Sequence, residues 1–432
     1  MDLMKEKNPL YFGWIIVGVS FIILALAYGV WYSFSVFFVA LLKEFGWSRS
    51  IAAGAFSLFV ILHSLIGPFV GGIVDRFGPR RVILLGSTSL GVGLALCSLL
   101  RTWWQFYLFF GVIVAVGVGA IGWVPNVIQI QHWFKKKRGL AIGIISSGIG
   151  MGILVCVPTI QYLIIQFGWR MTYSIMAIFI PLIVVSMAIV FLRRPFQDVS
   201  SHHSEIEISH PILGNPSIID RDWTSKCWTI REAVATKQFW LLSISFFLGN
   251  FITQSTFTHQ VAFFVDRGLD PLFASYIVGM IGIVSLGGKI LWGGLSDKIG
   301  REITYTLGIA CSILGMITLI LFNFFPSSVL TYFFSFFFGM GYAVTAALPP
   351  LIVSDFFEGQ AYGSIFGSLI MFVGMGGAFC AWFAGFVYDH MESYLPVFVI
   401  LILCGLLSCL NIWKAAPRKI RSVPGKKVQS KI

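Results

Sequence analysis

The chain has 432 residues, of which 57% are hydrophobic and only 11% charged. A soluble domain carries roughly 25% charged residues, and here the apolar residues fall in long unbroken runs, which excludes a soluble globular enzyme and points to a helical membrane protein of many spans. The formal net charge of +12 does not imply nucleic acid, because in a membrane protein surplus Lys and Arg collect in cytoplasmic loops.

In chain order, Lys5 and Lys7 precede an apolar run too long for a signal peptide, so the first span is expected to be retained. Twelve spans are predicted, near 12–40, 50–74, 82–100, 104–133, 139–167, 171–192, 239–264, 272–296, 303–323, 328–353, 361–387 and 394–413. Each is long enough to cross ~30 Å of hydrocarbon. A polar segment from Arg193 to Gln238 separates the sixth span from the seventh. The expected organisation is a six-helix half over 1–194, a cytoplasmic loop over 195–238, a second six-helix half over 239–414 and a basic tail over 415–432. With the N-terminus inside, the inner segments carry 24 Lys and Arg and the outer ones five. That asymmetry predicts both termini on the cytoplasmic side; a plasma (inner) membrane is the expected location. The remaining basic residue, Lys289, lies at membrane depth, and none of the 18 acids does.

The two halves repeat. Gly46, Gly71, Asp75 and Gly78 recur as Gly268, Gly293, Asp297 and Gly300, all at an offset of 222. Spans five and eleven both open on glycines four apart, Gly139 and Gly143, then Gly363 and Gly367. Duplicated halves are a transporter architecture with a site near mid-membrane. The two charged turns, with Arg76, Arg80 and Arg81 in the first and Lys298 and Arg301 in the second, are read as gating turns. The first glycine allows close helix approach, the aspartate pairs a basic group or caps a helix, and Gly78 and Gly300 supply turn conformations that other residues adopt poorly.

The doubled turn, the twelve spans and the long middle loop resemble the major facilitator superfamily. Further stretches narrow the resemblance: Tyr11-Phe-Gly-Trp14, Tyr32-Ser-Phe-Ser-Val-Phe-Phe38 and Glu44-Phe-Gly-Trp-Ser-Arg49. Trp133-Phe-Lys-Lys-Lys-Arg-Gly-Leu-Ala-Ile-Gly143, Phe167-Gly-Trp-Arg170 and His259-Gln-Val-Ala-Phe-Phe-Val-Asp-Arg-Gly268 follow. Together they resemble the monocarboxylate porter branch, which includes oxalate–formate exchangers. The resemblance implies an all-α fold of twelve transmembrane helices in two pseudo-symmetric halves. It also implies that an arginine in span eight holds the substrate carboxylate. Lys289 stands at the matching position, so the bidentate fork is lost and a single ammonium remains.

Lys289 is eight residues from Asp297, about 12 Å along a helix, which is far for snorkelling to the surface. Ser275, Gly279, Gly282, Ser285, Lys289, Gly293 and Ser296 form a small and polar stripe at three- and four-residue steps. Lys289 is therefore expected to face a central cavity, with Ser285 beside it. Span seven is polar in seven of eight residues from Thr253 to Gln260, and such a run should line a wet cavity or an unwound segment. The resemblance makes His259 a substrate- or proton-handling candidate; a bond between helices is the plainer alternative. Asn126 is a candidate hydrogen-bond donor to substrate, with interhelical bonding nearly equal. Tyr32 and Tyr342 are candidates for shaping the pocket, with aromatic packing equal. His63 is a proton-site candidate for which packing is favoured.

His202, His203 and His210 with Glu205 and Glu207 lie in an unpatterned loop, and no metal site is expected. The seven cysteines are irregularly spaced and read as small packing residues. The basic tail from Arg418 to Lys431 is expected to touch anionic lipid headgroups. No cofactor is expected, and without a Walker-type motif nothing suggests ATP as the driver. The function expected is secondary active transport of a small organic anion, a monocarboxylate by proton symport with alternating access. The partners are then that anion and a proton or counter-anion; the oligomeric state is left open, and a monomer is compatible with the reading. Carboxylate exchange and a non-transporting sensor on a carrier fold are the alternatives. Unlike an arginine, a lysine in an empty dry cavity can give up its proton, so Lys289 is also a proton-coupling candidate beside His259 and His63.

Overall fold

A computed structural model of the protein describes residues 9–134, 138–192, 220, 223, 226, 228–357 and 361–420. Among the described residues every regular element is a helix. Long apolar runs leave the backbone no polar solvent, so its N–H and C=O groups must pair within each segment. The elements are α1 (Pro9–Phe45), α2 (Arg49–Phe77), α3 (Pro79–Ser98), α4 (Trp103–Phe106), α5 (Ala115–Ile121), α6 (Trp123–Trp133) and α7 (Arg138–Val190). They continue with α8 (Ile230–Val234), α9 (Lys237–Asp266), α10 (Pro271–Ile299), α11 (Arg301–Phe324), α12 (Ser328–Phe356), α13 (Tyr362–Met391) and α14 (Leu395–Ala415). Wider π turns over Tyr107–Val114 join α4 to α5.

Ten of these segments are apolar and long enough to cross a membrane. One of the ten, Leu140–Val190, is 51 residues long and holds two arms across Gly168, where φ is 76°. The 30-residue α9 is long enough but carries the polar run Thr253 to Gln260. Counting both arms and α9 brings the membrane-length segments to the twelve that the sequence predicts.

The chain divides into two compact units. The first holds residues 1–197 with the stretches 256–283 and 381–392, and the second holds 198–255, 284–380 and 393–432. In the first, α1 and α7 pack through glycine. A Cβ on Gly152 would lie 2.1 Å from the Ala25 carbonyl oxygen, so only glycine permits that approach. Gly143, the second glycine of the pair that opens the predicted fifth span, faces open space. The first unit also takes one end of α9, α10 and α13: Gly282 lies against the Gly150 carbonyl, and a Cβ there would be 2.6 Å from it.

In the second unit the core gathers Phe239, Trp292, Tyr305, Val344, Leu348 and Phe356. Tyr305, Ser245 and Ser408 close a buried hydroxyl cluster, with Tyr305 2.8 Å from Ser408 Oγ. The described end of the middle loop is part of this unit. Trp223 Nε1 donates to the Phe356 carbonyl at 2.8 Å, and Trp228, 7% exposed, packs edge-on against Phe357. Thr229 and Glu232 form a capping box at the start of α8. The start of the tail is held too, with the Arg418 amide donating to Glu302 at 2.8 Å. The expected lipid contact of the tail past residue 420, and the His202, His203 and His210 cluster, fall outside the described residues.

Candidate functional site

Lys289 sits on α10, and its place is set by how α10 meets α12. Gly288 lets the helices close: a Cβ there would come within 2.7 Å of Ala343 Cβ. One turn further, Trp292 Nε1 donates to the Met340 carbonyl at 2.8 Å and fixes the register. The Lys289 ammonium then stands 5.4 Å from the centroid of the Tyr342 ring, within cation–π range. Ser285, one turn before Lys289, is fully buried. The acids of both helices, Asp297 and Asp355, lie at their ends. Arg301 engages both, Asp297 at 2.7 Å and Asp355 at 3.0 Å. Among the described residues no ion pair joins a carboxylate to Lys289. A cation in this setting favours any anion that reaches it, because burial has removed part of its water and the tyrosine face returns little of that energy.

The other predicted substrate and proton residues belong to the first unit. His259 is 4% exposed, and its Nε2–H donates to the Ala381 carbonyl at 2.8 Å, tying α9 to α13. Its ring stands edge-on to Phe38 at 5.2 Å. Tyr32 is 7% exposed and 4.6 Å from Phe257. His63 stands edge-on to Trp31 at 4.7 Å. Asn126 is fully buried, and its Nδ2 donates to the carbonyls of Ile121 at 2.8 Å and Gly122 at 2.7 Å. The reason is local. Pro125 has no N–H to offer the Ile121 carbonyl one turn back, and the helix breaks at Gly122, so the asparagine supplies the donor. Both amide hydrogens are thereby used, so no donor is left for a substrate, and the buried Oδ1 has no hydrogen-bond partner among the described residues.

The two duplicated turns both bend at a glycine. Gly78 has φ 84° and Gly300 φ 100°, the left-handed side that glycine adopts without strain. Gly71 and Gly293 meet no neighbour closely; the nearest atom to a Cβ on Gly71 is 3.9 Å away, and Gly293 faces open space. In the second turn Arg301 links Asp297, Ser296 and Asp355, so the α10–α11 turn is fastened to the end of α12. Arg76, Arg80 and Arg81 line the first turn, and Lys298 is exposed on the second.

Sequence reasoning missed a second cluster, at the end of the first unit opposite Gly78. The backbone amides of Arg49 and Ser50, at the start of α2, both donate to the Asp389 carboxylate at 2.8 Å. Ser50 Oγ donates to the same group at 2.5 Å. The Arg49 guanidinium stacks 3.7 Å over Tyr388 and pairs with Asp266 at 2.5 Å. Gly385 makes room: a Cβ there would meet the Arg49 carbonyl carbon at 2.7 Å. A carboxylate from α13 thus caps the positive end of α2. Close by in sequence, Glu44 accepts from Trp169 and Arg170, joining α1 to the bend of α7. The readable signal was Ser48, an N-cap residue before α2; Asp389, 340 residues from the Arg49 amide it accepts from, gave none.

Comparison with known proteins gives a consistent picture. The Major Facilitator Superfamily matches residues 20–379. Monocarboxylate transporter 12 of Xenopus laevis is 25% identical over 96% of this chain and 94% of its own length. Monocarboxylate transporter 13 of Bos taurus is 24% identical over 90% of this chain and 85% of its own length. Among solved structures, a bacterial homologue of the human lysosomal transporter Spinster, inward-facing and unoccupied, superposes with a TM-score of 0.71 at 15% identity, covering 95% of this chain and 98% of that one. The nucleoside transporter NupG gives 0.70 at 15% identity, covering 93% and 100%.

Proposed function

We propose that this chain, which belongs to the major facilitator superfamily and is a membrane transporter of that type, carries a small monocarboxylate by alternating access. The observation that carries the reading is Lys289, a membrane-depth cation held over Tyr342 with its neighbouring acids engaged elsewhere. The relatives named as monocarboxylate transporters support the substrate class. A lone ammonium suits one carboxylate; a dicarboxylate would want a second cation, and Lys289 is the one Lys, Arg, Asp or Glu that the sequence reading puts at membrane depth. The anion would cancel the lysine's buried charge and favour the loaded, closed state. Ser285 and Tyr342 would flank the carboxylate. Tyr32, Asn126 and His259, all in the first unit, are the other candidate substrate residues.

In this reading the Asp389 cap on α2 and the charged turns at Gly71–Arg81 and Gly293–Arg301 are ties that would break and re-form during transport. Symport is proposed because lysine, unlike arginine, can release its proton when desolvated, so proton and carboxylate would enter together. His259 and His63 are the other proton candidates, although the His259 ring spends its Nε2–H on Ala381. The test is uptake of labelled monocarboxylates into proteoliposomes by wild type and Lys289→Ala. Equal uptake by the two would remove Lys289 from the site.

A further inference from the structure

The duplicated turns are alike in backbone and unlike in charge. From Asp75 to Arg81 the first carries one aspartate and three arginines. The aligned stretch, Asp297 to Ile303, carries Asp297, Lys298, Arg301 and Glu302, two of each sign. In the second turn Asp355 adds another carboxylate to Arg301. At the same offset of 222 the first half has Trp133, and α6 contains no acid from Trp123 to Trp133. Among the described residues no carboxylate of that kind stands against the surplus charge of the first turn.

A cavity of about 390 Å³ opens at this place, lined by Arg76, Gly78, Arg80, Arg81, Gln129 and Leu192. That volume lies in the range of small-molecule pockets. Arg80 is fixed on its wall, with a guanidinium nitrogen 3.0 Å from the Ile189 carbonyl near the end of α7. Arg76 and Arg81 are exposed. The 20-residue α3 also begins here, with Gly78 as a cap that offers no side-chain acceptor. Its positive end adds to the same field. Behind the cavity Val70, Val74, Val82 and Ala120 form a small apolar core that holds α2, α3 and α5 together.

We propose that this cavity is a phosphate-binding site, separate from the Lys289 site. Three guanidinium groups offer forked donors to a tetrahedral group that carries three or more acceptor oxygens and up to two charges. A carboxylate would leave most of those donors unused. The chemistry is shared by the headgroup of an anionic phospholipid and by free phosphate. Phe69, Ile73 and Phe77 lie along the same stretch of α2 with 72%, 45% and 46% of their surface exposed. They give acyl chains a surface beside the cavity in the first case.

The test compares wild type, Arg76→Gln/Arg81→Gln and Lys298→Gln. The double variant changes two exposed residues and leaves the Arg80 bond to Ile189 in place, so the fold is retained; Lys298→Gln removes a cation from the twin turn. One arm embeds each protein in nanodiscs of phosphatidylcholine with and without phosphatidylglycerol and counts retained phosphatidylglycerol by native mass spectrometry. The other titrates inorganic phosphate against chloride at matched ionic strength and follows the thermal midpoint in detergent. Retention of phosphatidylglycerol by wild type identifies a lipid headgroup. A phosphate-dependent midpoint without lipid retention identifies free phosphate. In either arm the double variant is expected to weaken binding at least about tenfold, and Lys298→Gln to behave as wild type. Wild type that responds to neither probe overturns the proposal, as does a double variant that binds like wild type or a Lys298→Gln variant that loses as much.

Discussion

Replacing Asp389 by asparagine tests the cap on α2. The carboxylate takes the amides of Arg49 and Ser50 at 2.8 Å each, and the Ser50 hydroxyl. Asparagine keeps one acceptor oxygen but turns an NH2 toward the other donor. One charge-assisted bond is lost, about 1.5–3 kcal/mol. The charge at the helix N-terminus goes too, another ~0.3–1 kcal/mol. A net loss of about 2–3 kcal/mol shifts a two-state ratio roughly 30- to 150-fold toward the form in which α2 and α13 part. The assay is a distance measurement between spin labels at Ile51 and Met391, exposed positions beside the contact. Wild type should give one short distance, and Asp389→Asn a second, longer one as a major population. Asp266→Asn removes only a part-exposed pair with Arg49. Such pairs are worth about 0–1 kcal/mol, so its distribution should stay near wild type. An unchanged distribution in Asp389→Asn, or an equal change in Asp266→Asn, would refute the idea that the cap holds this end closed.

The α10–α12 clamp predicts a contrast between adjacent glycines. Gly288→Val drives a side chain into Ala343 and Met340 and should cost about 1–3 kcal/mol and most uptake, whereas Gly287→Ala points into open space and should be silent in the same uptake and thermal-unfolding assays. Asp355→Asn removes one of the two carboxylates on Arg301, which is 16% exposed and keeps Asp297. It should lower the thermal midpoint measurably, at a cost of about 1.5–3 kcal/mol, with Lys298→Gln as the near-silent comparison. Lys289→Arg keeps a cation that cannot lose its proton, so substrate binding should persist while the pH dependence of uptake changes; an unchanged pH profile would leave His259, His63 or exchange as the coupling.

Much of the fold could be read because the features were local or repeated. The glycine–aspartate spacing, doubled at 222 residues, predicts the turns that Gly78 and Gly300 make with positive φ. Lys289 stood out because one charge in an apolar run needs a reason. Asn126 is instructive in the other direction. Its depth suggests a substrate donor, yet Pro125, one residue before, already leaves a carbonyl for it to satisfy. The Asp389 cap was illegible because its halves lie 340 residues apart and the aspartate sits in an unremarkable Tyr388-Asp389-His390 run. Asp355 was passed over for the same reason, since its partner Arg301 lies 54 residues earlier. Long-range pairing leaves no periodicity to find in one sequence.

The account rests on Lys289 as the anion contact, and uptake into proteoliposomes tests it most directly. Wild type and Lys289→Ala would be compared on labelled lactate, pyruvate, formate, oxalate and longer acids, with and without an imposed pH gradient. The account predicts monocarboxylate uptake that rises with inward proton flow and is abolished in Lys289→Ala. Undiminished uptake by Lys289→Ala, or a preference for oxalate independent of pH, would contradict it.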